Sequence, residues 1–300
     1  MASRLGSSAR QRAIDFIGVH GTNLQRVLYE FHFDEGDATN VIAALRHYQN
    51  GDGGFGHGLE ADLRTKRSSV VATTVALQIV GEIGAFDSQL ARDAIHYLHT
   101  QYQDDNWPLI SADCNDAPHA PWWAYVEPAR DGVFRPNPGA EVLSYLYSAC
   151  GLGKSTREEL MARAIHHIAT NRIEMHDLLC YLRLFENPKV GAASRRELLP
   201  HLLTQSFELV KVNPEDWEEY CLTPCDVVTH PSSPLADFFG DALEEDFAHR
   251  LARQNEDGSW SPSWSWGNAW SDTWRSVERE IRGTLTLRFL IQLDRFGRLD

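Results

Sequence analysis

Four ionisable side chains lie close together in the segment HGLEADLRT, directly after a run of glycines: His57, Glu60, Asp62 and Arg64. Two carboxyl groups in one site can serve acid–base chemistry, because burial and mutual repulsion keep one of them protonated as a proton donor. We therefore predict that Asp62 or Glu60 is a catalytic acid. His57 is predicted to act with it as a catalytic residue, and Arg64 is predicted to orient the site and to contact the substrate.

The same four residues also have a purely structural interpretation. Asp62 can cap a helix, or it can pair with Arg64 or a neighbouring basic side chain in a solvated cluster that contributes little energy. A histidine between two glycines, such as His57, can simply pack beneath a turn. The sequence leaves both interpretations open.

Large aromatic side chains form two further groups. Trp122, Trp123 and Tyr125 follow a proline in APWWAYVE, and Trp264 and Trp266 alternate in SPSWSWG. The faces of indole and phenol rings stabilise cations and hold hydrocarbons, so we predict that these five side chains shape a site for a hydrophobic substrate. The alternative is that the rings only cover the ends of the fold.

The elements that must position these groups are helices. Apolar residues recur at helical spacing, as in Val41, Ile42 and Leu45, and the alternation typical of strands is almost absent. The class predicted is all-α. The predicted helices cover residues 10–31, 38–49, 69–82, 88–101, 139–150, 156–170, 174–186, 194–210, 235–253 and 280–296.

A short motif repeats along the chain. The segments QNGDGGF (49–55) and QNEDGSW (254–260) share glutamine, aspartate, glycine and an aromatic residue at the same offsets. A third copy, QYQDDNW (101–107), has Asp105 in place of the glycine. The copies are spaced near multiples of about 50 residues, the length of one helix pair, so about six such units fill the chain.

The motif has a mechanical interpretation. The glutamine amide can satisfy free backbone groups at a helix end, the Asp-Gly turn reverses the chain, and the aromatic ring packs on the neighbouring unit. We predict this stapling role for Gln49, Gln101 and Gln254. Helix pairs of this kind stack either into an open solenoid or into a closed ring, and periodicity alone does not decide between them.

The motif resembles the repeat of the terpenoid-cyclase and protein-prenyltransferase superfamily, which includes squalene–hopene cyclases. The segments GGFGHGLEADLRT, APWWAYVE, FRPNPGAEV and SWSWG are similar to those of single-domain, prenyltransferase-like proteins of unassigned activity. The resemblance implies an α/α-toroid formed by residues 1–300 as one domain, with inner helices around a central cavity. It supplies no reaction.

The chain departs from the family's well-understood members. The Asp-x-Asp-Asp motif of class II cyclases and the Asp-Asp-x-x-Asp motif of class I synthases are both missing from the sequence. Protein prenyltransferases hold zinc with aspartate, cysteine and histidine, and the best local mimic here is Cys221, Cys225, Asp226 and His230. We expect neither a metal nor another cofactor, and zinc stays an alternative.

Loops that enter the inner helices of such a fold converge at one end of the cavity, each with a positive helix-dipole end. Polar residues in those loops are therefore candidates for substrate binding. On this ground we predict substrate contacts for Asn137 and Glu141, and for Tyr220, Asp226 and His230.

Composition restricts the partners. The chain has 28 lysines and arginines against 42 aspartates and glutamates, a formal net charge of −14, which disfavours nucleic acid and anionic membrane surfaces. It shows neither a secretory leader nor a run of about 18 apolar residues. We expect a cytoplasmic protein whose five scattered cysteines are free thiols, and the oligomeric state stays open.

These observations predict a terpenoid-cyclase-like enzyme of natural-product metabolism. It would cyclise or isomerise a hydrophobic polyene in an aromatic-lined cavity without a metal. The alternatives are a cyclase that only holds a reactive polyene for a pericyclic reaction, a zinc-dependent prenyltransferase and a non-catalytic helical-repeat binding protein. An α/α-barrel enzyme acting on carbohydrate is also conceivable, because paired carboxylates and aromatic rings suit sugars as well.

Overall fold

The computed structural model describes residues 3–127, 131–148 and 153–300. Within these ranges the chain is helical and contains isolated β-bridges but no strands, so the all-α prediction is confirmed. The α-helices are α1 (Ser7–His20), α2 (Asn23–Phe33), α3 (Ala38–Leu45), α4 (Val70–Glu82), α5 (Gln89–Thr100), α6 (Pro136–Ser148), α7 (Lys154–Thr170), α8 (Met175–Glu186), α9 (Ala192–Leu209), α10 (Pro224–Val227), α11 (Pro234–Ala252) and α12 (Ser271–Arg295). None of them is both long and apolar enough to cross a bilayer.

Residue contacts divide the chain into two compact units. Unit 1 comprises Met1–Ala44 and Val210–Asp300, and unit 2 comprises Leu45–Leu209. Unit 1 contains α1, α2 and α10 to α12, and unit 2 contains α4 to α9. In unit 2, α6 packs on α4, α7 and α8, while in unit 1, α12 packs on α1 and α2. The organisation of residues 1–300 as one domain stays a prediction.

The first predicted helix, 10–31, is in fact two helices. α1 ends at Gly21, where a Cβ atom would lie 2.4 Å from the Ile17 carbonyl oxygen. Thr22 then caps α2, because its hydroxyl accepts from the Gln25 N–H at 3.2 Å and the Gln25 side chain accepts from the Thr22 N–H at 2.9 Å. This reciprocal pair is a capping box. It marks the start of a new helix, which the apolar periodicity did not reveal.

Two other helix boundaries differ from the prediction. α12 begins at Ser271 instead of position 280, and its first ten residues contain one buried side chain, Val277, so their apolar pattern is weak. The short helix α10 was not predicted. It starts with Pro224 at its first position and a capping box between Thr223 and Asp226, which favours a helix start without any periodic pattern.

The first copy of the repeat motif ties its loop to α5 through one side chain. The Gln49 Nε2 group donates to Gly53 O at 3.0 Å, which closes the turn, and to Leu90 O in α5 at 3.1 Å. Gly53 has a φ of +88°, and a Cβ atom there would lie 2.4 Å from Asp93 O in α5. Only glycine therefore allows this approach. The Phe55 ring is completely buried.

The copy in unit 1 repeats the same contacts on α1. The Gln254 Nε2 group donates to Gly258 O and to Ala9 O, each at 2.9 Å. Gly258 has a φ of +90°, and a Cβ atom there would lie 2.3 Å from the Arg12 carbonyl carbon. Trp260, at the position of Phe55 in the motif, is also buried. The stapling role predicted for Gln49 and Gln254 is thus confirmed.

The third copy keeps its ring but not its cross-link. Trp107 is buried, and its Nε1–H group donates to Leu98 O at 2.8 Å. Gln101 donates instead to the adjacent Thr100 hydroxyl at 3.1 Å, and in the described part of the chain its amide reaches no neighbouring helix. Asp105 adopts a φ of +63° where the other copies have glycine. The stapling predicted for Gln101 is therefore wrong.

Four of the five cysteines lie in the described part of the chain, and all four are free thiols, as expected. They are Cys114, Cys180, Cys221 and Cys225. Cys150 lies outside the described residues.

The Gly53 turn yields a direct test of the approach to α5. Gly53→Ala should lower the free energy of unfolding by about 2 kcal/mol or more, because the new Cβ meets backbone and the positive φ is strained. Gly51→Ala, in the same loop, has open space around its Cβ and should change it by less than about 0.5 kcal/mol. Urea unfolding followed by circular dichroism measures both, and equal losses would contradict the proposed contact.

Candidate active site

An open cavity of about 490 Å³ lies in unit 2. This volume is within the usual range of small-molecule sites, roughly 300–1,000 Å³. Its apolar lining includes five aromatic side chains, of which Tyr97 and Trp107 are largely buried: Tyr97, Trp107, Trp122, Trp123 and Tyr125. The polar and charged side chains in the wall include Gln101, Gln103, Asp104, Asn106, Glu127, Arg135 and Asn137. The wall therefore offers ring faces on a scale suited to a hydrophobic molecule, together with hydrogen-bonding groups.

Tyr97 on α5 and residues 122–127 contribute to this wall, together with three further backbone segments. The first is the start of α4, where the Ser69 hydroxyl caps the helix by accepting from Ala72 N–H at 3.2 Å. The second is the third copy of the repeat motif and the loop after it, joined to α4 by a 3.1 Å bond from Val71 N–H to Leu109 O. The third is the start of α6. The N-terminal ends of α4 and α6, which carry positive dipole ends, thus border the same cavity.

The segment HGLEADLRT pairs with the residues just before the 3-10 turn Pro121–Trp123, which we call the tryptophan turn. Leu63 forms an isolated β-bridge with His119. The Arg64 N–H donates to Pro118 O at 2.9 Å, and the Ala120 N–H donates to Asp62 O at 2.8 Å. The 3-10 turn Pro121–Trp123 follows directly, so this pairing fixes the position of the turn that carries Trp122 and Trp123.

The four ionisable residues of that segment are absent from the cavity wall. Asp62 is buried, and its N–H donates to the Glu60 carboxylate at 3.3 Å. The Arg64 guanidinium lies over the turn at Gly58 and donates to its carbonyl oxygen at 3.4 Å. His57 is exposed, with its Nε2 atom 2.9 Å from the Asn50 side-chain oxygen.

The tryptophan turn contributes rings to both the cavity and the core. Trp123 and Tyr125 pack against a buried apolar cluster: Leu63, Val71, Ile110 and Cys114. The Trp123 Nε1–H group is buried and has no hydrogen-bond partner among the described residues. Trp122 is 49% exposed, and the Tyr125 hydroxyl donates to the Glu127 carboxylate at 2.7 Å. Trp122 is therefore the ring with most surface left to cover a ligand.

Asn137 and Glu141 lie one helical turn apart on α6 but in different surroundings. Asn137 lines the cavity, and its N–H donates to the Asp177 carboxylate at 3.2 Å. Glu141 is only 3% exposed and belongs to a polar cluster between α4, α6 and α8. A carboxylate this deeply buried requires several donors.

Four side chains donate to the Glu141 carboxylate. Its Oε1 atom accepts from Gln78 Nε2 at 2.8 Å and from the Tyr145 hydroxyl at 2.5 Å. Its Oε2 atom accepts from Arg183 Nη1 at 2.6 Å and from the Cys180 thiol at 3.6 Å. Burial, followed by the Glu141 charge, raises the pKa of both Tyr145 and Cys180 well above their ordinary values. Both groups thus stay protonated as donors.

The remaining predicted substrate-binding residues lie in unit 1. The rings of Tyr220 and Trp264 meet edge to face at 5.6 Å, and Trp266 is buried against Trp274. Asp226 accepts from the Arg250 guanidinium at 2.7 Å. His230 bonds the adjacent Ser232 hydroxyl at 2.7 Å, and Asp226 also accepts from the Thr223 N–H and hydroxyl. These contacts are local to unit 1.

The residues suggested for zinc are not brought together. In the described part of the chain, no three histidine, cysteine, aspartate or glutamate side chains are grouped so as to hold a metal ion. Cys225 is buried, with its N–H donating to the Asp246 carboxylate at 2.7 Å, and the Cys221 thiol lies against Asp216 O at 3.5 Å.

The fold is shared with solved structures of very different sequence. A variant of the type II terpene cyclase MstE from Scytonema, in complex with its product merosterolic acid A, matches with a TM-score of 0.52 at 10% identity over 96% of each chain. A protein from Actinoplanes matches with a TM-score of 0.53 at 13% identity, over 95% of this chain and 99% of that one. No family model and no curated protein matches the sequence.

The chain has a terpenoid-cyclase-like fold. The fold predicted from the three motif copies is therefore confirmed. At these identities the similarity concerns the fold alone.

The structure adds site residues that sequence reasoning missed. Tyr97 and Trp107 line the cavity, and Arg183 completes the Glu141 cluster. Trp107 was recognised only as the ring of a repeat motif. Arg183 gave no local signal, because its partner lies in another helix, and only the packing of α6 on α8 brings the two together.

The Glu141 cluster yields a stability test. Glu141→Ala leaves buried donors and a half-buried guanidinium without their acceptor, and should lower the free energy of unfolding by about 2–4 kcal/mol. Glu158→Ala removes an exposed glutamate 3.7 Å from Lys154, and should cost less than about 0.5 kcal/mol. Urea titration compares the two. A similar small loss in both would show that the Glu141 contacts are not strong.

Proposed function

We propose that this protein is a terpenoid-cyclase-like enzyme that cyclises or isomerises a hydrophobic polyene in the cavity of unit 2. The observation that carries the proposal is the set of five aromatic rings in one cavity of about 490 Å³. Ring faces bind hydrocarbon and stabilise the cationic centres formed when a polyene cyclises. The fold adds support, because the terpene cyclase MstE shares it and was solved with its product merosterolic acid A.

The initiating step in this proposal is proton transfer from a carboxylic acid to the polyene. Asp62 and Glu60, the donors predicted from the sequence, stay in the proposal as an acid pair beside the tryptophan turn, although neither lines the cavity. Asp104 and Glu127 compete for the role, because both line the cavity. His57 and Arg64, in the same segment as Asp62, are proposed to hold the acids in place.

The substrate contacts predicted in unit 1 form a proposal separate from the cavity of unit 2. Tyr220 and Trp264 present adjacent ring faces, and Tyr220 is 49% exposed. A polyene can pack on such faces. Trp266, Asp226 and His230 would act by supporting the loops that carry them.

The ring face of Trp122 offers a binding test. Trp122→Ala should weaken binding of a neutral isoprenoid alcohol such as farnesol about tenfold, because covering roughly 60 Å² of indole is worth about 1.5 kcal/mol. Quenching of intrinsic tryptophan fluorescence measures the dissociation constant. Stability should hardly change, since Trp122 is already 49% exposed.

Trp270→Ala is the matched control, because Trp270 is 47% exposed in unit 1. It should bind farnesol as the wild type does. Equal affinity in all three proteins would mean that the cavity does not hold the hydrocarbon, and would remove the observation on which the function depends.

The proton donor is tested by turnover of polyene substrates identified by mass spectrometry. Asp62→Asn combined with Glu60→Gln should reduce turnover by at least a hundredfold, since general acid catalysis typically contributes about 10²–10⁴-fold. Turnover of the wild type should fall as pH rises, because the donor must be protonated. Asp104→Asn and Glu127→Gln are the comparison variants.

Two outcomes would contradict the assignment to Asp62 and Glu60. If only Asp104→Asn or only Glu127→Gln loses turnover, the proton donor is that acid of the cavity wall. Full turnover in every variant, together with a flat pH profile, would rule out an acid and favour the pericyclic alternative, in which the cavity acts by holding its substrate in a reactive pose.

A further inference from the structure

The turn in the third copy of the repeat motif is a tight hairpin with a strained backbone. Gln103 and Asn106 exchange backbone hydrogen bonds of 3.0 and 2.9 Å. The two residues between them, Asp104 and Asp105, have φ values of +48° and +63°, which suit glycine better than other residues. Such a conformation costs free energy and persists only where surrounding contacts hold it. The contacts that hold this turn therefore matter for the cavity wall to which it belongs.

The Asn106 side chain binds this turn to the segment before α6 (residues 131–135). Its Nδ2 group donates to Val133 O at 2.8 Å, and its Oδ1 atom accepts from the Arg135 N–H at 2.9 Å. Both polar groups of one side chain thus hold the backbone of a second segment. Asn106 and Arg135 also line the aromatic cavity, so this link lies in the cavity wall itself.

Arg163 on α7 forms a second link between the same turn and the same segment. Its Nη1 group donates to Asp105 O at 3.4 Å, and its Nη2 group donates to Gly132 O at 3.2 Å. The guanidinium carbon also lies 5.8 Å from the centre of the Phe134 ring, which is buried. A planar guanidinium can serve two acceptors and a ring at once. The position of the segment relative to the turn is therefore fixed from two separate side chains.

A wall held in this way restricts the size of the ligand. A hydrocarbon that reaches Asn106 and Arg135 meets backbone fixed by hydrogen bonds, and moving that backbone aside costs those bonds. We propose that Asn106 is a specificity-determining residue, which limits the size of the hydrocarbon accepted by the aromatic cavity because it closes the wall at Arg135. Arg163 is a positioning residue that supports the same closure. This inference rests on the proposed function of the cavity.

The test uses linear primary alcohols from hexanol to dodecanol, which differ only in chain length. Their dissociation constants are measured by displacement of farnesol, whose binding is followed by intrinsic tryptophan fluorescence. Each added methylene should tighten binding about fourfold while it can be buried. In the wild type this gain should stop at a cut-off length within the series, where the chain meets the closed wall.

Variants assign the cut-off to particular side chains. Asn106→Ala should move the cut-off to a longer alcohol by at least one methylene, and Arg163→Gln should move it in the same direction. Asn187→Ala is the matched control, because Asn187 also holds backbone through both polar groups, with bonds of 2.7 Å to Ser144 O and 2.9 Å from the Lys189 N–H. Asn187 is absent from the cavity wall, so its loss should lower stability and leave the cut-off unchanged.

Each result decides one part of the proposal. A wild type without a cut-off in the series, or the same cut-off in Asn106→Ala, would overturn the role of Asn106 while farnesol binding still supports the cavity function. An equal shift in Asn187→Ala would overturn it too, since general loosening would then explain the change. An unchanged cut-off in Arg163→Gln would overturn the role of Arg163. Absence of binding for farnesol and every alcohol would overturn the proposed function, and this inference with it.

Discussion

The contact on which each unit of this structure depends is the close approach of a glycine turn to a neighbouring helix. At Gly53 and again at Gly258, the backbone of the turn comes so near to helix backbone that a single added carbon would collide with it. The adjacent glutamine bonds its own turn and that same helix. Helix pairs cannot bury their apolar faces alone, so these cross-links decide which faces meet.

The cavity in unit 2 follows from that arrangement. Gln49 joins the turn that precedes α4 to α5, and the start of α4 lies against the loop after α5, where Val71 and Leu109 share a backbone bond. The pairing of Asp62 with Ala120 then brings the tryptophan turn to the same edge. The aromatic rings are thus gathered by backbone hydrogen bonds between segments distant in sequence, and the polar cluster around Glu141 lies in the helices that continue from this edge.

The fold could be predicted from the sequence because its signals are local and repeated. Seven-residue motifs and apolar periodicity are sufficient for the class and for most helices, whereas the break at Gly21 and the early start of α12 depend on a cap and on a polar helix face. Candidate site residues were harder to predict. Trp122, Trp123, Tyr125 and Asn137 were selected by residue type and do line the cavity, but Arg183 becomes visible only through the packing of α6 on α8, which no short-range pattern encodes.

The loss of the cross-link in the third repeat copy has a consequence for how such a protein can diverge. At Gly53 and Gly258 the turn lies against helix backbone, so a larger residue at either position would collide with it. The loop at 101–107 lacks this cross-link and supplies Gln101, Gln103 and Asp104 to the cavity wall. In a chain of repeated units, some copies can therefore maintain the fold while another copy varies in sequence and lines a ligand site. Changes in ligand preference then need not change the fold.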